Sequence, residues 1–337
     1  MPLRAVIALL AVLPLIAEEK PRPPIQPAEG PGGADYAHAK VIEWERGKGD
    51  AQVWVFEPDA PKPETAPLVV FLHGWGGMLP APYRAWIDHL VKKGNVVVYP
   101  RYQGTLLSAG RKFDRNVYGA LKEALRGLSE EGHVQPELDH VAAVGHSFGA
   151  SITVNYAAAA EREGLPQPKA ILVVQPGNGG KGYMHMEIED LSKIPAGTLA
   201  LVVAGEHDEI AGSETAKRYF RGMTSIAEED RDYILVRSDA RGEPDLKASH
   251  FDPCAPLDVG KGSKLMNLTG GLVDGREMRV DAYDWRGYWK WMDGLCDAAF
   301  WGKNREFALG DTPEQRDMGT WSDGVRVAEP LVTDRPK

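Results

Sequence analysis

The stretch that decides the fold is residues 141–149, which read Val-Ala-Ala-Val-Gly-His-Ser-Phe-Gly. The apolar run 141–144 predicts a buried strand, and the small residues of 150–160 predict a helix directly after the motif. A Gly-x-Ser-x-Gly motif between a strand and a helix is typical of the nucleophile elbow, a strained turn that lifts a serine hydroxyl above a sheet. Glycines are needed there because a side chain at Gly145 or Gly149 would collide with the neighbouring strand or helix. We therefore expect Ser147 to be a nucleophile.

The rest of a catalytic triad should follow this serine in a fixed order. A serine hydroxyl is a poor nucleophile unless a base takes its proton and a carboxylate orients that base. After a nucleophile elbow, the acid comes next along the chain and the histidine comes last. The apolar run 198–204 predicts a strand, and Asp208 follows it in a Gly-x-x-Asp turn at the same sheet edge as Ser147. His250 is the only histidine after Asp208, so it is the expected base.

Other acidic residues compete with Asp208 for the role of the acid. Glu206 and Glu209 flank it and are either solvated loop charges or rivals. Asp239 lies at the end of the next predicted strand, where this architecture also permits the acid. His207 lies beside the acid in the wrong order to be the base, which leaves it as a packed or hydrogen-bonded loop residue. The alternative for His250 is a surface-loop histidine.

A glycine-rich loop upstream has the pattern of an oxyanion hole. The apolar run 67–72 predicts a strand, and it leads into residues 73–77, His-Gly-Trp-Gly-Gly. Acyl transfer places negative charge on a carbonyl oxygen, and losing one of the backbone amides that stabilise it costs about 3 kcal/mol of barrier. The expected donors are the amide of Phe148, after the nucleophile, and the amide of Trp75. The indole of Trp75 would overhang the site.

These motifs together resemble an α/β-hydrolase of the serine esterase or lipase type, over most of the chain from about residue 41 to about residue 300. The elbow Gly-His-Ser-Phe-Gly is similar to that of platelet-activating-factor acetylhydrolases. The short spacers and the apolar N-terminus are similar to those of bacterial cutinases, polyester hydrolases, and chlorophyllase-like or dienelactone-hydrolase-like enzymes. Dienelactone hydrolases use a cysteine nucleophile, and Ser147 disfavours that chemistry.

The resemblance implies a mostly parallel sheet with helices on both faces and a serine hydrolase that cleaves carboxylic esters. The substrate would be a small-molecule, lipid or polymeric ester. A serine peptidase or amidase on the same triad, and a non-catalytic extracellular binding protein, remain alternatives. No cofactor is implied. His185, with acidic residues nearby, lacks any of the usual zinc-binding spacings, so no metal is assigned.

The N-terminus has the pattern of a secretory signal peptide. Residues 1–17 carry one arginine, a short apolar run and a small residue at the end. That run is shorter than the roughly 20 apolar residues of a membrane span. We expect cleavage after Ala17, a secreted or periplasmic protein and no stable membrane span afterwards; a retained anchor is the alternative. Residues 18–35 are rich in proline and glycine, which predicts a disordered linker. Residues 36–337 then suit one catalytic domain.

Charge and cysteine content add two expectations. The formal net charge is −9, which argues against nucleic acid or an anionic membrane as a partner. An exported chain with two cysteines favours a disulfide between Cys254 and Cys296, closing a loop of about 40 residues. Two buried free thiols are the alternative.

The remaining pattern alternates apolar strands with helices, which predicts a parallel sheet covered on both faces. An antiparallel entry hairpin is expected at 40–45 and 52–56, and the strand at 233–237 is expected to end the sheet. Residues 176–197 are too few for a cap domain, so the site should be open. The segment 252–281 is a candidate wall of the cleft. The aromatic stretch 283–301 is expected to be a helix packed on the sheet.

Overall fold

The chain forms a nine-stranded, mostly parallel sheet in a computed structural model that describes residues 19–257 and 278–336. The strands are β1 Lys40–Arg46, β2 Val53–Asp59, β3 Thr65–Leu72, β4 Val96–Pro100, β5 Gln135–His146, β6 Ala170–Val174, β7 Leu199–Gly205, β8 Arg231–Val236 and β9 Leu331–Thr333. Their order in the sheet is β1-β2-β4-β3-β5-β6-β7-β8-β9. Strands β3 to β8 pair in parallel, whereas β1, β2 and β9 pair antiparallel. The carboxyl ends of the parallel strands therefore lie at one edge.

Helices cover both faces of this sheet because its central strands are apolar on both sides. The helices are α1 Arg84–Lys92, α2 Phe113–Leu128, α3 Phe148–Glu163, α4 Glu214–Gly222, α5 Trp289–Trp301 and the short α6 Pro313–Arg316. Along β3, Leu68 and Val70 pack under α2 and α3, whereas Val69 and Phe71 pack under α1 and α5. This alternation buries two separate apolar clusters.

The predicted α/β-hydrolase fold is confirmed, and each strand and helix expected from the alternation is present. The entry hairpin forms as expected, with Lys40 opposite Asp59. The sheet does not end at β8, because the three-residue β9 pairs with it. So short a strand carries too little periodicity to be recognised in the sequence. The aromatic stretch begins with a π-turn at Asp284–Tyr288 and continues as α5.

The N-terminal segment, residues 19–35, differs from the expectation of a disordered linker. The amide of Gly32 donates to the buried carboxylate of Asp293 at 2.8 Å, and the amide of Glu243 donates to the carbonyl of Pro21 at 2.9 Å. At Gly32 (φ +75°), a Cβ would lie 1.9 Å from the carbonyl oxygen of Trp285. The glycine therefore permits a close approach, and the prolines lower the entropy that ordering this segment costs.

Between β6 and β7 there is no cap domain, since residues 175–198 contain only a 3₁₀ turn at Leu191–Lys193. In the described part of the chain, no helix has the length and apolar character needed to cross a membrane. The expected signal peptide, residues 1–17, lies outside the described residues. So does most of the candidate cleft wall, residues 258–277.

Candidate active site

Ser147 lies in the tight turn between β5 and α3, at the carboxyl edge of the sheet. Its backbone has φ 56° and ψ −118°, a region that costs a non-glycine residue about 1–3 kcal/mol. A Cβ on Gly145 would lie 2.2 Å from the carbonyl oxygen of Gly149, and a Cβ on Gly149 would lie 2.0 Å from that of Leu72. The two glycines thus allow β5, α3 and β3 to approach closely enough to form the elbow.

The loops after β7 and β8 bring the other two predicted residues to this serine. His207 and Ser249 form a parallel bridge, so the residues that follow them, Asp208 and His250, lie side by side. His250 Nδ1 is 2.9 Å from Asp208 Oδ2, and His250 Nε2 is 3.0 Å from Ser147 Oγ. A carboxylate only accepts, so Nδ1–H donates to Asp208 and the lone pair of Nε2 faces the serine hydroxyl. All three side chains are buried.

The surroundings of Asp208 favour the ionised form of its carboxyl group, as a partner of the His250 imidazole requires. Burial alone raises the pKa of its carboxyl group. The hydrogen bond from His250, the charge of His250 and the amides of Ala211 and Ile210 outweigh burial and hold that pKa below its ordinary value. The two amides donate to Oδ1 at 2.8 and 3.0 Å, which leaves Oδ2 for the imidazole. One oxygen therefore fixes the carboxylate and the other orients the histidine.

Three backbone amides of the loop 73–77 already have hydrogen-bond acceptors within the protein. The amide of Gly74 donates to the Tyr83 hydroxyl at 2.9 Å, that of Gly76 to Gln103 Oε1 at 2.8 Å, and that of Gly77 to the Gly74 carbonyl at 2.9 Å. Within residues 19–257 and 278–336, the amides of Trp75 and Phe148 have no hydrogen-bond acceptor. A Cβ on Gly74 would lie 3.3 Å from Ser147 Cβ, so the loop runs directly beside the serine.

A buried histidine that the sequence did not single out connects these parts. His146 Nδ1 is 2.8 Å from the Tyr83 hydroxyl, and His146 Nε2 is 2.8 Å from the carbonyl oxygen of His250. Burial and the charge of His250 together lower the pKa of His146 to about 3. The motif Gly-x-Ser-x-Gly leaves this position open, so no sequence signal distinguishes it.

A cavity of about 210 Å³ opens at Ser147 and His250. Its other walls are mainly apolar; they include Trp75, Leu106, Phe251, Cys254 and Met278. Further large apolar side chains are exposed on the loops that follow the parallel strands, and we call them together with Trp75 and Leu106 the apolar collar. The collar consists of Trp75, Leu79, Leu106, Leu107, Tyr183, Ile210 and Leu257.

The expected disulfide is wrong, because Cys254 and Cys296 are both free and buried. Cys254 lines the cavity at the carboxyl edge of the sheet, with Gly74. Cys296 lies at the amino edge, in a separate cavity that Pro67 also lines. Within β3, Pro67 and Leu72 are five residues apart, which spans about 17 Å at 3.3 Å per residue, and Gly74 lies beyond Leu72, whereas bridged cysteines need Cα atoms within about 7 Å. Compartment and an even count carried no information on this distance.

The rival acids lie elsewhere. Asp239 Oδ2 accepts from the indole of Trp321 and from the amide of Ala328, both at 3.0 Å. Glu206 accepts from the amide of Ser238 at 2.9 Å. His207 Nδ1 is hydrogen-bonded to the Ser238 hydroxyl at 2.6 Å, which agrees with its expected role as a loop residue.

Comparison with known families agrees with this architecture. Residues 43–200 match the model of the Chlorophyllase family. The matched region contains Ser147, Phe148 and Trp75 but ends before Asp208 and His250. None of the curated proteins compared with the chain matches it. Together, the sheet and the family match show the α/β-hydrolase fold, with residues 43–200 similar to the Chlorophyllase family.

Proposed function

We propose that the protein is a serine hydrolase that cleaves carboxylic esters through an acyl-enzyme. The observation that carries the proposal is the continuous line of hydrogen bonds from Asp208 through His250 to Ser147, at 2.9 and 3.0 Å. Nucleophile, base and orienting acid within hydrogen-bond reach form the arrangement that activates a serine.

In this mechanism, Ser147 Oγ attacks the ester carbonyl while His250 Nε2 takes its proton. The imidazolium returns that proton to the alcohol oxygen as the bond from the acyl carbon to that oxygen breaks. Asp208 stabilises the cation and keeps the ring in its orientation. The amides of Trp75 and Phe148 stabilise the oxyanion. Water activated by His250 then attacks the acyl-enzyme and releases the acid and Ser147.

The shape and polarity of the site favour an ester with apolar parts. The cavity of about 210 Å³ is smaller than the roughly 300–1,000 Å³ of common ligand pockets. It therefore suits the reacting end of an ester with a short or medium acyl group. The exposed apolar collar offers a surface for whatever part of a larger lipid or polymer ester extends beyond the cavity.

An ester panel from acetyl to long acyl groups, together with an aromatic polyester film, tests this proposal. We expect activity to peak on short or medium acyl chains and to vanish in Ser147→Ala. Ser129→Ala removes an exposed serine at the end of α2 and serves as the matched control. Ser147→Ala with parental activity would refute the assignment.

Two further assays separate the rival functions. A serine peptidase would cleave peptide anilides in preference to p-nitrophenyl esters. A binding protein that kept the fold would not react with a fluorophosphonate, whereas we expect the probe to modify Ser147.

We also propose that the protein is secreted or periplasmic, on the basis of the apolar pattern in residues 1–17. The mature protein isolated from the medium or periplasm should begin at Glu18. Recovery of the intact N-terminus in the membrane fraction would instead favour a retained anchor.

A further inference from the structure

His146 is linked to the nucleophile, the oxyanion loop and the base, which the proposed mechanism requires at fixed relative positions. It directly precedes Ser147 in the chain. Its Nδ1 is 2.8 Å from the Tyr83 hydroxyl, which accepts from the amide of Gly74 at 2.9 Å, next to Trp75. Its Nε2 is 2.8 Å from the carbonyl oxygen of His250. One imidazole therefore joins the nucleophile, the oxyanion loop and the base.

The hydrogen-bond partners of His146 fix the tautomer of its imidazole ring. The carbonyl oxygen of His250 can only accept, so Nε2 must carry the hydrogen. A neutral ring then offers the lone pair of Nδ1 to the Tyr83 hydroxyl. The Tyr83 oxygen in turn accepts from the Gly74 amide. Each donor in this series of hydrogen bonds, from Gly74 through Tyr83 and His146 to His250, therefore has an acceptor. Burial, which lowers the pKa of His146 to about 3, favours the same neutral form.

We propose that His146 and Tyr83 act as a positioning pair that holds the amide of Trp75 and the imidazole of His250 in the correct places relative to Ser147. The inference rests on the proposed ester hydrolysis, because it concerns how that site is held together. It assigns a role to two residues whose hydrogen bonds reach the neighbours of the reacting groups, namely the Gly74 amide and the His250 carbonyl. The loop that carries His250 is also held by a hydrogen bond from Gln175 Nε2 to the Ser249 carbonyl at 2.9 Å. Loss of the His146 hydrogen bond should therefore shift the loop slightly without detaching it.

Two substitutions at one position cut the two links separately. Asparagine places its amide group near the position of Nδ1, and glutamine places its amide group near that of Nε2. His146→Asn therefore keeps an acceptor for Tyr83 and loses the donor to His250. His146→Gln keeps that donor and loses the acceptor. Tyr83→Phe removes one oxygen and cuts the links to His146 and to the Gly74 amide.

We expect each variant to lower kcat on p-nitrophenyl butyrate by about 10- to 100-fold, the cost of a misplacement of about 1 Å at a reacting centre. KM should stay within about threefold, because these substitutions leave the other walls of the cavity, such as Trp75, Leu106 and Met278, in place. The double variant of Tyr83→Phe with His146→Gln should lose little more than Tyr83→Phe alone, since both cut the same link.

His89 provides a matched control for loss of a buried histidine. It is also buried, with Nδ1 3.2 Å from the Tyr36 hydroxyl and Nε2 2.9 Å from Asp293, on the helix α1. His89→Gln and His89→Asn should lower the melting temperature and leave kcat unchanged. Equal losses of kcat at His89 and His146 would mean that His146 has only a structural role, and parental kcat in both His146 variants would also overturn the proposal.

A spectroscopic measurement on the unmodified protein tests the pair without relying on catalysis. In ¹⁵N-histidine NMR at pH 7, the resonances that disappear in His146→Asn should report a neutral ring with its hydrogen on Nε2. A ring protonated on Nδ1, or a cationic ring, would overturn the proposal even if the ester assays succeed. If instead the ester assays fail and this tautomer is found, the error lies in the proposed function and not in the positioning pair.

Discussion

Replacing Asp208 with asparagine should reverse the tautomer of His250 and nearly abolish hydrolysis. Oδ1 of Asp208 accepts from the amides of Ile210 and Ala211, at 3.0 and 2.8 Å. An asparagine there must keep its oxygen toward these two donors, so its NH₂ group faces His250 Nδ1. Nδ1 must then accept, and the proton moves to Nε2, which can no longer take the proton of Ser147.

The expected loss is large because the base is present in the wrong form. In a serine protease triad, the equivalent substitution lowers kcat by about 10⁴-fold, which corresponds to about 5.5 kcal/mol of barrier. Because the two amide contacts of Oδ1 persist, the loop should keep its shape and KM should change little. The assay is kcat and KM on p-nitrophenyl butyrate at pH 7–8, with circular dichroism as the check on folding.

Asp239→Asn is the matched control, since Asp239 follows the neighbouring strand and is the rival acid. It is bonded to Trp321, Ala328 and Arg241 and not to the imidazole. We expect kcat/KM within about twofold of the parent and a small loss of stability. An Asp208→Asn enzyme with more than about a tenth of parental kcat, or an equal loss in Asp239→Asn, would refute the reasoning.

Three further predictions concern thiols, pH and packing. Ellman titration without reductant should find no reactive thiol in the native protein and two in the denatured one, because Cys254 and Cys296 are free and buried. Burial also raises the pKa of both thiols, that of Cys254 to about 12. A disulfide would leave no reactive thiol in either state. Burial raises the pKa of Asp114 from 3.8 to about 7, so its contribution to stability is present below about pH 4 and is lost as the pH rises through 7. Urea unfolding should therefore favour Asp114→Asn over the parent by up to about 4 kcal/mol more at pH 8 than at pH 4, and a difference that does not change with pH would contradict this assignment. Gly149→Ala should be strongly destabilised and inactive because its Cβ would lie 2.0 Å from a backbone oxygen, whereas Gly119→Ala on α2, with nothing within 4 Å, should gain about 0.5–1 kcal/mol; parental stability in Gly149→Ala would show that the elbow tolerates a side chain.

The sequence predicted the parallel core and the elbow because both leave periodic or local signals. Apolar runs of four or more residues mark the central strands, and a strained turn needs glycine at fixed positions. The order serine, acid, histidine then selected Asp208 and His250, which the fold brings within 3.0 Å of their partners. The roles of these residues in catalysis stay predictions.

What the sequence did not reveal depends on distances between remote residues. The Tyr83–His146 link joins two positions that follow no motif, and the three residues of β9 carry no period. Compartment and an even cysteine count favour a disulfide, although Cys254 and Cys296 line cavities at opposite edges of the sheet. The composition of residues 19–35 predicts flexibility of the isolated segment, and it does not show the hydrogen bonds that this segment makes with the rest of the protein.

The attachment of residues 19–35 limits what can be joined ahead of them. The carbonyl of Pro21 already accepts from Glu243, and the amide and carbonyl of Arg22 are both bonded to Ser322. A reporter or affinity handle fused directly before Lys20 would therefore begin close to the protein's own surface, because the residues that follow are held by hydrogen bonds. Such a fusion has to bring its own flexible spacer, and trimming the chain at residue 36 would expose the buried carboxylate of Asp293 instead of removing an idle tail.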